Sequence, residues 1–115
     1  MPDDVIVECS FLIPMTRDAL LSDGQPHSSK EWEKLDDTLF AKFLGGTSAP
    51  GLYSGFYADP HTGQRVSDQS KKFIVAVPRF QLDELRQLLI EACDWFCQKC
   101  IYLSIAGNVE FIQKP

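Results

Sequence analysis

The 115 residues are 44% hydrophobic and 11% aromatic, enough apolar surface to bury one compact core and too much for an unfolded chain. A net charge of −5 and a pI near 4.8 argue against a nucleic-acid partner, which needs a basic face to displace the counterions of a phosphate backbone. No apolar run approaches the roughly 18 residues of a membrane span, and MPDDVIVECSFLIP opens with two acids in place of a signal's basic region, so a single soluble cytoplasmic domain with reduced cysteines and no membrane partner is expected.

Val5 to Ile13 is β-branched and nearly alternating, and Pro14 ends it, which predicts a strand with Val5, Val7, Cys9, Phe11 and Ile13 on one face. Residues 14–27 carry Asp23, Gly24 and Pro26 without a period, a long connection that is either mobile or functional. Ser28 and Glu31 fit a capping box, with the serine hydroxyl accepting from a free backbone N–H. Trp32, Leu35, Leu39 and Phe43, with Phe40 at the shoulder, then form the apolar stripe of a helix that Gly45-Gly46 stops. Leu52 to Tyr57 reads as a strand, Asp59 to Gln64 as a polar turn, and Lys72 to Val77 as the next strand. Leu82, Leu85, Leu88, Leu89, Ala92 and Phe96 mark a second amphipathic helix over 80–98. Ile101 to Ile105 is a strand, with a tight turn at Gly107-Asn108 before VEFI. This order predicts an α+β ferredoxin-like β-α-β-β-α-β sandwich: a four-stranded antiparallel sheet with both helices on one face.

The stretch CDWFCQKC places Cys93, Cys97 and Cys100 on one side of a helix. On a continuous helix the outer two thiols stand roughly 10 Å apart along the axis, too far for one zinc ion with bonds of about 2.3 Å. The C-x3-C-x2-C spacing resembles the iron–sulfur motif of radical S-adenosylmethionine enzymes, but here it ends a late helix in a chain too short for their barrel. The expectation is therefore small apolar side chains at the edge of a stripe, with metal binding and redox pairing as lesser readings, and no metal or cofactor.

Glu31-Trp32, Gly45-Gly46-Thr47, Gly55-Phe56-Tyr57, Ser70-Lys71 and Phe96-Cys97-Gln98 together resemble a family of small uncharacterised bacterial proteins, a domain of unknown function with an E-W, G-x-T, G-x-W, S-K, F-x-Q pattern. In this sequence Tyr57 stands for the Trp, Gly46 for a Leu, and Asp68 for a Glu ahead of Ser-Lys. The resemblance implies a ferredoxin-like fold and brings no activity with it.

With both helices on one side, the other sheet face is left uncovered. Glu8, Ser10, Tyr53, Tyr57, Ile74 and Tyr102 are the candidate ligand or interface residues there, with Leu52, Ser54 and Phe56 as the alternative set to the strand's tyrosines. So apolar a face points to a non-catalytic interaction module, leaning away from an enzyme, that forms a homodimer through its sheet. The alternative is a small-molecule-binding protein or enzyme with its site on that face under the 14–28 loop. There Glu8 is a general base among tyrosines; its plainer role is an ion pair with Lys72 on the neighbouring strand. His27 and His61 sit in polar segments and are expected to be solvated turn residues.

Overall fold

The computed structural model describes residues 5–59 and 62–115. Its strands are β1 (Ile6–Pro14), β2 (Thr47–Ser48), β3 (Tyr53–Ala58), β4 (Arg65–Pro78), β5 (Cys100–Ile105) and β6 (Asn108–Gln113). The helices are α1 (Ser29–Phe43) and α2 (Leu82–Trp95), the latter entered through a 3-10 turn at Arg79–Gln81. All pairings are antiparallel, in the order β2-β4-β1-β5-β6, with β3 also on β4. The α+β class and the two helices agree with the sequence; the sheet has six strands where four were expected.

Alternation dictates which face is buried. Cys9, Phe11 and Ile13 of β1 lie level with Val75, Phe73 and Lys71 of β4, and Cys9 and Phe11 with Ile105 and Leu103 of β5. The apolar members of that set join one core with Leu35 and Leu39 of α1 and Leu85, Leu88 and Leu89 of α2, so both helices cover this face. Most of the fold's stability comes from here, because burying a large aliphatic or aromatic side chain contributes roughly 1.5–3 kcal/mol. On α2's outer flank Arg86 holds Glu110 of β6 with two bonds of 2.9 and 2.8 Å, which lowers the Glu110 carboxyl from its ordinary range.

Local details depart from expectation in informative ways. The Ser28 hydroxyl donates to the Glu31 carboxylate and makes no bond to the helix backbone, so the pair meets side chain to side chain. Leu44, in the left-handed region at φ 65°, ends α1 one residue before the glycines, its N–H donating to Phe40 O at 3.0 Å. The largest departure is β4, which starts at Arg65 and not at Lys72. Its first half, Arg65 to Ser70, pairs with β3, and its second half, from Ser70, pairs with β1. The β3–β4 hairpin therefore projects beyond the helices and stretches the molecule to 47 × 29 × 29 Å. The connection between these two strands includes Pro60 and His61, which lie outside the described residues.

Candidate active site

Residues 15–27 form a hydrogen-bonded strap that ends against the hairpin. Across the strap Arg17 N–H donates to Gln25 O at 2.9 Å, Thr16 bridges to Pro26, and His27 N–H donates to Met15 O at 3.4 Å. The Arg17 guanidinium grips Asp23 with bonds of 2.7 and 3.0 Å, which holds the Asp23 carboxyl down at about 2. Ties to the body are as specific: Met15 N–H to Gln69 O at 2.8 Å, Asp18 N–H to Cys97 O at 3.0 Å, and Gln98 Nε2 to both Thr16 O and Phe96 O at 2.8 Å. These bonds tie the segment both to itself and to the body of the fold.

Between strap and hairpin lies a cleft of about 310 Å³. Thr16, Arg17 and Asp18 line one side, Tyr57 and Asp68 the other, and Gln98 the end. Strand register places the hairpin groups: Tyr53, Gly55 and Tyr57 of β3 stand opposite Ser70, Asp68 and Val66 of β4, so Asp68 lies across from a residue with no side chain. A Cβ built at Gly55 would sit 3.7 Å from Asp68 Oδ1, so this glycine leaves the carboxylate uncovered.

The electrostatics are those of a partly dehydrated acidic site. Burial raises the Asp68 carboxyl above its ordinary value. Burial also raises the Tyr57 phenol, and the charges of Asp68 and Asp18 push it further. The Cys100 thiol is raised by burial first and then by Asp18 and Asp68, with Lys99 opposing. A carboxylate removed from water lacks solvation and gains most from a cationic partner. Such a cleft is suited to a small ligand with a positive charge and an apolar body.

The other expected residues are placed as follows. Glu8, Ser10, Ile74 and Tyr102 do share the uncovered face with Tyr53 and Tyr57, as their registers show. They do not converge on one site. Glu8 pairs with Ala76 and Tyr57 with Val66, ten residues apart along β4, roughly 33 Å at strand rise. The Glu8–Lys72 ion pair is also corrected by register, since Lys72 lies opposite Leu12 and extends its ammonium over the Tyr53 ring, 5.4 Å from the centroid. Glu8 and Ile74 instead border an open hollow of about 440 Å³ with Leu44 and Thr47.

His27 overturns the expectation of a solvated turn residue: it is only 9% exposed, packed against Trp32 and Phe96. The three clustered cysteines part company, Cys93 buried on α2, Cys97 just beyond the helix at φ 50°, and Cys100 at the start of β5. Among the described residues no group of three or more His, Cys, Asp or Glu side chains could hold a metal ion. Asp18, Asp68 and Gln98 line the cleft without being among the residues expected there from sequence. Asp68 had one signal, the acid ahead of Ser70-Lys71 in the resemblance pattern; Asp18 had none.

No family model matches the chain, and no curated protein does. Two solved structures share the fold. A phage SAM lyase in complex with S-methyl-5′-thioadenosine superposes with a TM-score of 0.68 at 15% identity, covering 94% of this chain and 89% of that one. A phage SAM lyase in the apo state gives 0.65 at 14% identity, covering 93% and 88%. At such identity the likeness is one of fold. It corrects two expectations, the non-catalytic interaction module and the lean away from an enzyme: nearly the whole chain follows an architecture seen in lyases, one of them holding a small molecule.

Proposed function

We propose that the protein is a small-molecule lyase whose substrate is an adenosyl sulfonium of the S-adenosylmethionine (SAM) type, cleaved to S-methyl-5′-thioadenosine. The observation that carries this reading is the partly buried Asp68 carboxyl near Tyr57, in a cleft under the strap that Asp18 also lines, on a fold similar to that of SAM lyases over 94% of the chain. The bond to break joins sulfur to the four-carbon amino-acid arm, and its electron pair goes to sulfur. The cationic sulfonium thereby becomes a neutral thioether. The arm is completed by losing a proton next to the broken bond or by ring closure through its own carboxylate, so no outside reactant is needed.

Because positive charge disappears from sulfur during cleavage, poor solvation raises the substrate more than the transition state. A carboxylate placed against sulfur itself would do the opposite. We therefore assign Asp68 to the arm's ammonium, which keeps its charge throughout, with Asp18 adding to the field and Tyr57 as a hydrogen-bonding wall. Gln98, with both amide hydrogens committed to Thr16 O and Phe96 O, holds the strap in place.

Titration calorimetry with S-methyl-5′-thioadenosine tests the pocket directly. One molecule per chain is expected, with weaker binding when Tyr57→Ala removes a wall; absence of heat at millimolar ligand removes this assignment of the cleft.

The same reading takes β1, β3, β4 and β5 with the two helices as a ferredoxin-like unit extended by β2 and β6, and keeps the resemblance to the small bacterial family as an untested kinship. A homodimer through the uncovered face is proposed independently of the activity. Ile6, Val109 and Phe111 are 58%, 49% and 64% exposed, an apolar set that a second copy would cover. Light scattering across a concentration series is expected to give twice the chain mass; the chain mass alone at every concentration removes the dimer.

A further inference from the structure

We propose that His27 is a proton-operated latch for the 15–26 strap: neutral, it locks the strap's base to the core, and protonated, it releases the wall of the cleft.

The geometry sets the tautomer. His27 Nε2 lies 2.7 Å from Pro14 O, and a carbonyl only accepts, so Nε2 carries the proton and Nδ1 is a bare lone pair. That Nδ1 is buried and has no hydrogen-bond partner among the described residues. The ring is boxed by Trp32 at 5.4 Å and Phe96 at 4.8 Å, both nearly perpendicular to it. A second proton would create a buried donor without an acceptor.

The charged groups around the ring are few. From the strap, Arg17 opposes protonation, though Asp23 holds its guanidinium. From α1, Glu31 favours it, with its carboxylate occupied by Ser28. From β4, the Lys71 ammonium lies 5.3 Å from the Trp32 centroid. β1 offers the Pro14 carbonyl, and the turn after α2 offers Phe96 and the neutral Gln98. The result is a ring whose affinity for protons is lowered from the ordinary 6.5, chiefly by burial.

The linkage runs in one direction. The folded value lies below the unfolded one, so the latch contributes fully above pH 6.5 and its contribution is lost as pH falls below it. Each pH unit below 6.5 favours the released strap by roughly tenfold, until the closed form also takes up the proton. Release costs the site Thr16, Arg17 and Asp18 together, because their backbone ties run through the same segment. The value of the latch for catalysis rests on the proposed function; the latch itself does not.

Amide hydrogen exchange on the full chain without ligand tests the latch by itself, with intrinsic rates corrected for pH. Strap amides, Arg17 and Asp18 above all, should lose protection by up to about tenfold between pH 7.5 and 5.5 while α2 amides keep theirs. In His27→Gln, whose amide can still donate to Pro14 O but does not titrate, strap protection should be the same at both pH values. Should that variant not fold, NMR titration of the wild-type ring takes its place, with a midpoint below 6.5 expected. Strap protection that ignores pH, an equal fall in His27→Gln, or a ring that titrates at or above 6.5 would each overturn the latch. A working latch on a cleft that fails to bind S-methyl-5′-thioadenosine would leave the inference standing and remove the proposed function.

Discussion

Asp68→Asn is expected to lower kcat/KM for SAM by about a hundredfold while leaving the melting temperature within a few degrees of the parent. The side chain keeps its shape and loses its charge, so the substrate's ammonium enters a partly dehydrated cleft without its partner. Removing one member of such a pair costs several kcal/mol, and about 3 kcal/mol corresponds to a factor of about 100. The fold should tolerate the change because the ionised carboxyl is itself disfavoured by burial there. The same raised value sets where the acid limb of kcat/KM should fall: the proposed reaction uses the carboxylate, so the midpoint should lie above 3.8, the ordinary aspartate value. Steady-state kinetics from pH 4 to 8 on both proteins read both effects. An Asp68→Asn enzyme within threefold of the parent across that range would remove Asp68 from the mechanism.

The second large effect is on stability. Phe96→Ala should lower unfolding free energy by roughly 3–5 kcal/mol, the cost of removing a fully buried phenylalanine and leaving a cavity. Phe96 is 0% exposed and lies within 5 Å, ring to ring, of both His27 and Trp32. Its loss opens the strap's box as well as the core. For a chain of this length the melting midpoint should fall by roughly 10–20 °C, measured by urea and thermal unfolding followed by circular dichroism. Trp95→Ala is the control, since that ring is only partly buried at the border of the core and carries Lys34 on its face; a Phe96→Ala loss no larger than the control's would contradict the packing described.

How much of this was legible in the sequence depends on whether burial had written a period. Cys9, Phe11 and Ile13, and the stripe from Leu85 to Phe96, alternate or recur because a core selected every second or every third to fourth position. The first half of β4 carries no such record. From Arg65 to Gln69 no residue is fully buried, so polar residues suit both faces and the strand reads as a turn. The six-strand sheet was hidden for the same reason at β2, two exposed residues paired with Ile74 and Phe73 of β4.

The site was harder still. Sequence placed Tyr57 correctly on the uncovered face, but joined it to Glu8 because both carried suitable chemistry. Only the length of β4 shows that the two stand at opposite ends. Asp18 comes to line the same cleft as Asp68 with its N–H tied to Cys97 O, a contact across 79 positions of chain that no local pattern announces. His27 looked like a loop histidine because its neighbours are polar; the aromatic side chains that bury it, Trp32 and Phe96, come from α1 and from the end of α2.

Incubating the purified protein with SAM, with products followed by liquid chromatography and mass spectrometry, tests the proposed cleavage. S-methyl-5′-thioadenosine should accumulate in proportion to enzyme, with an equimolar four-carbon product, and Asp68→Asn should slow both about a hundredfold. SAM recovered intact after incubation with folded protein would rule out the proposed lyase.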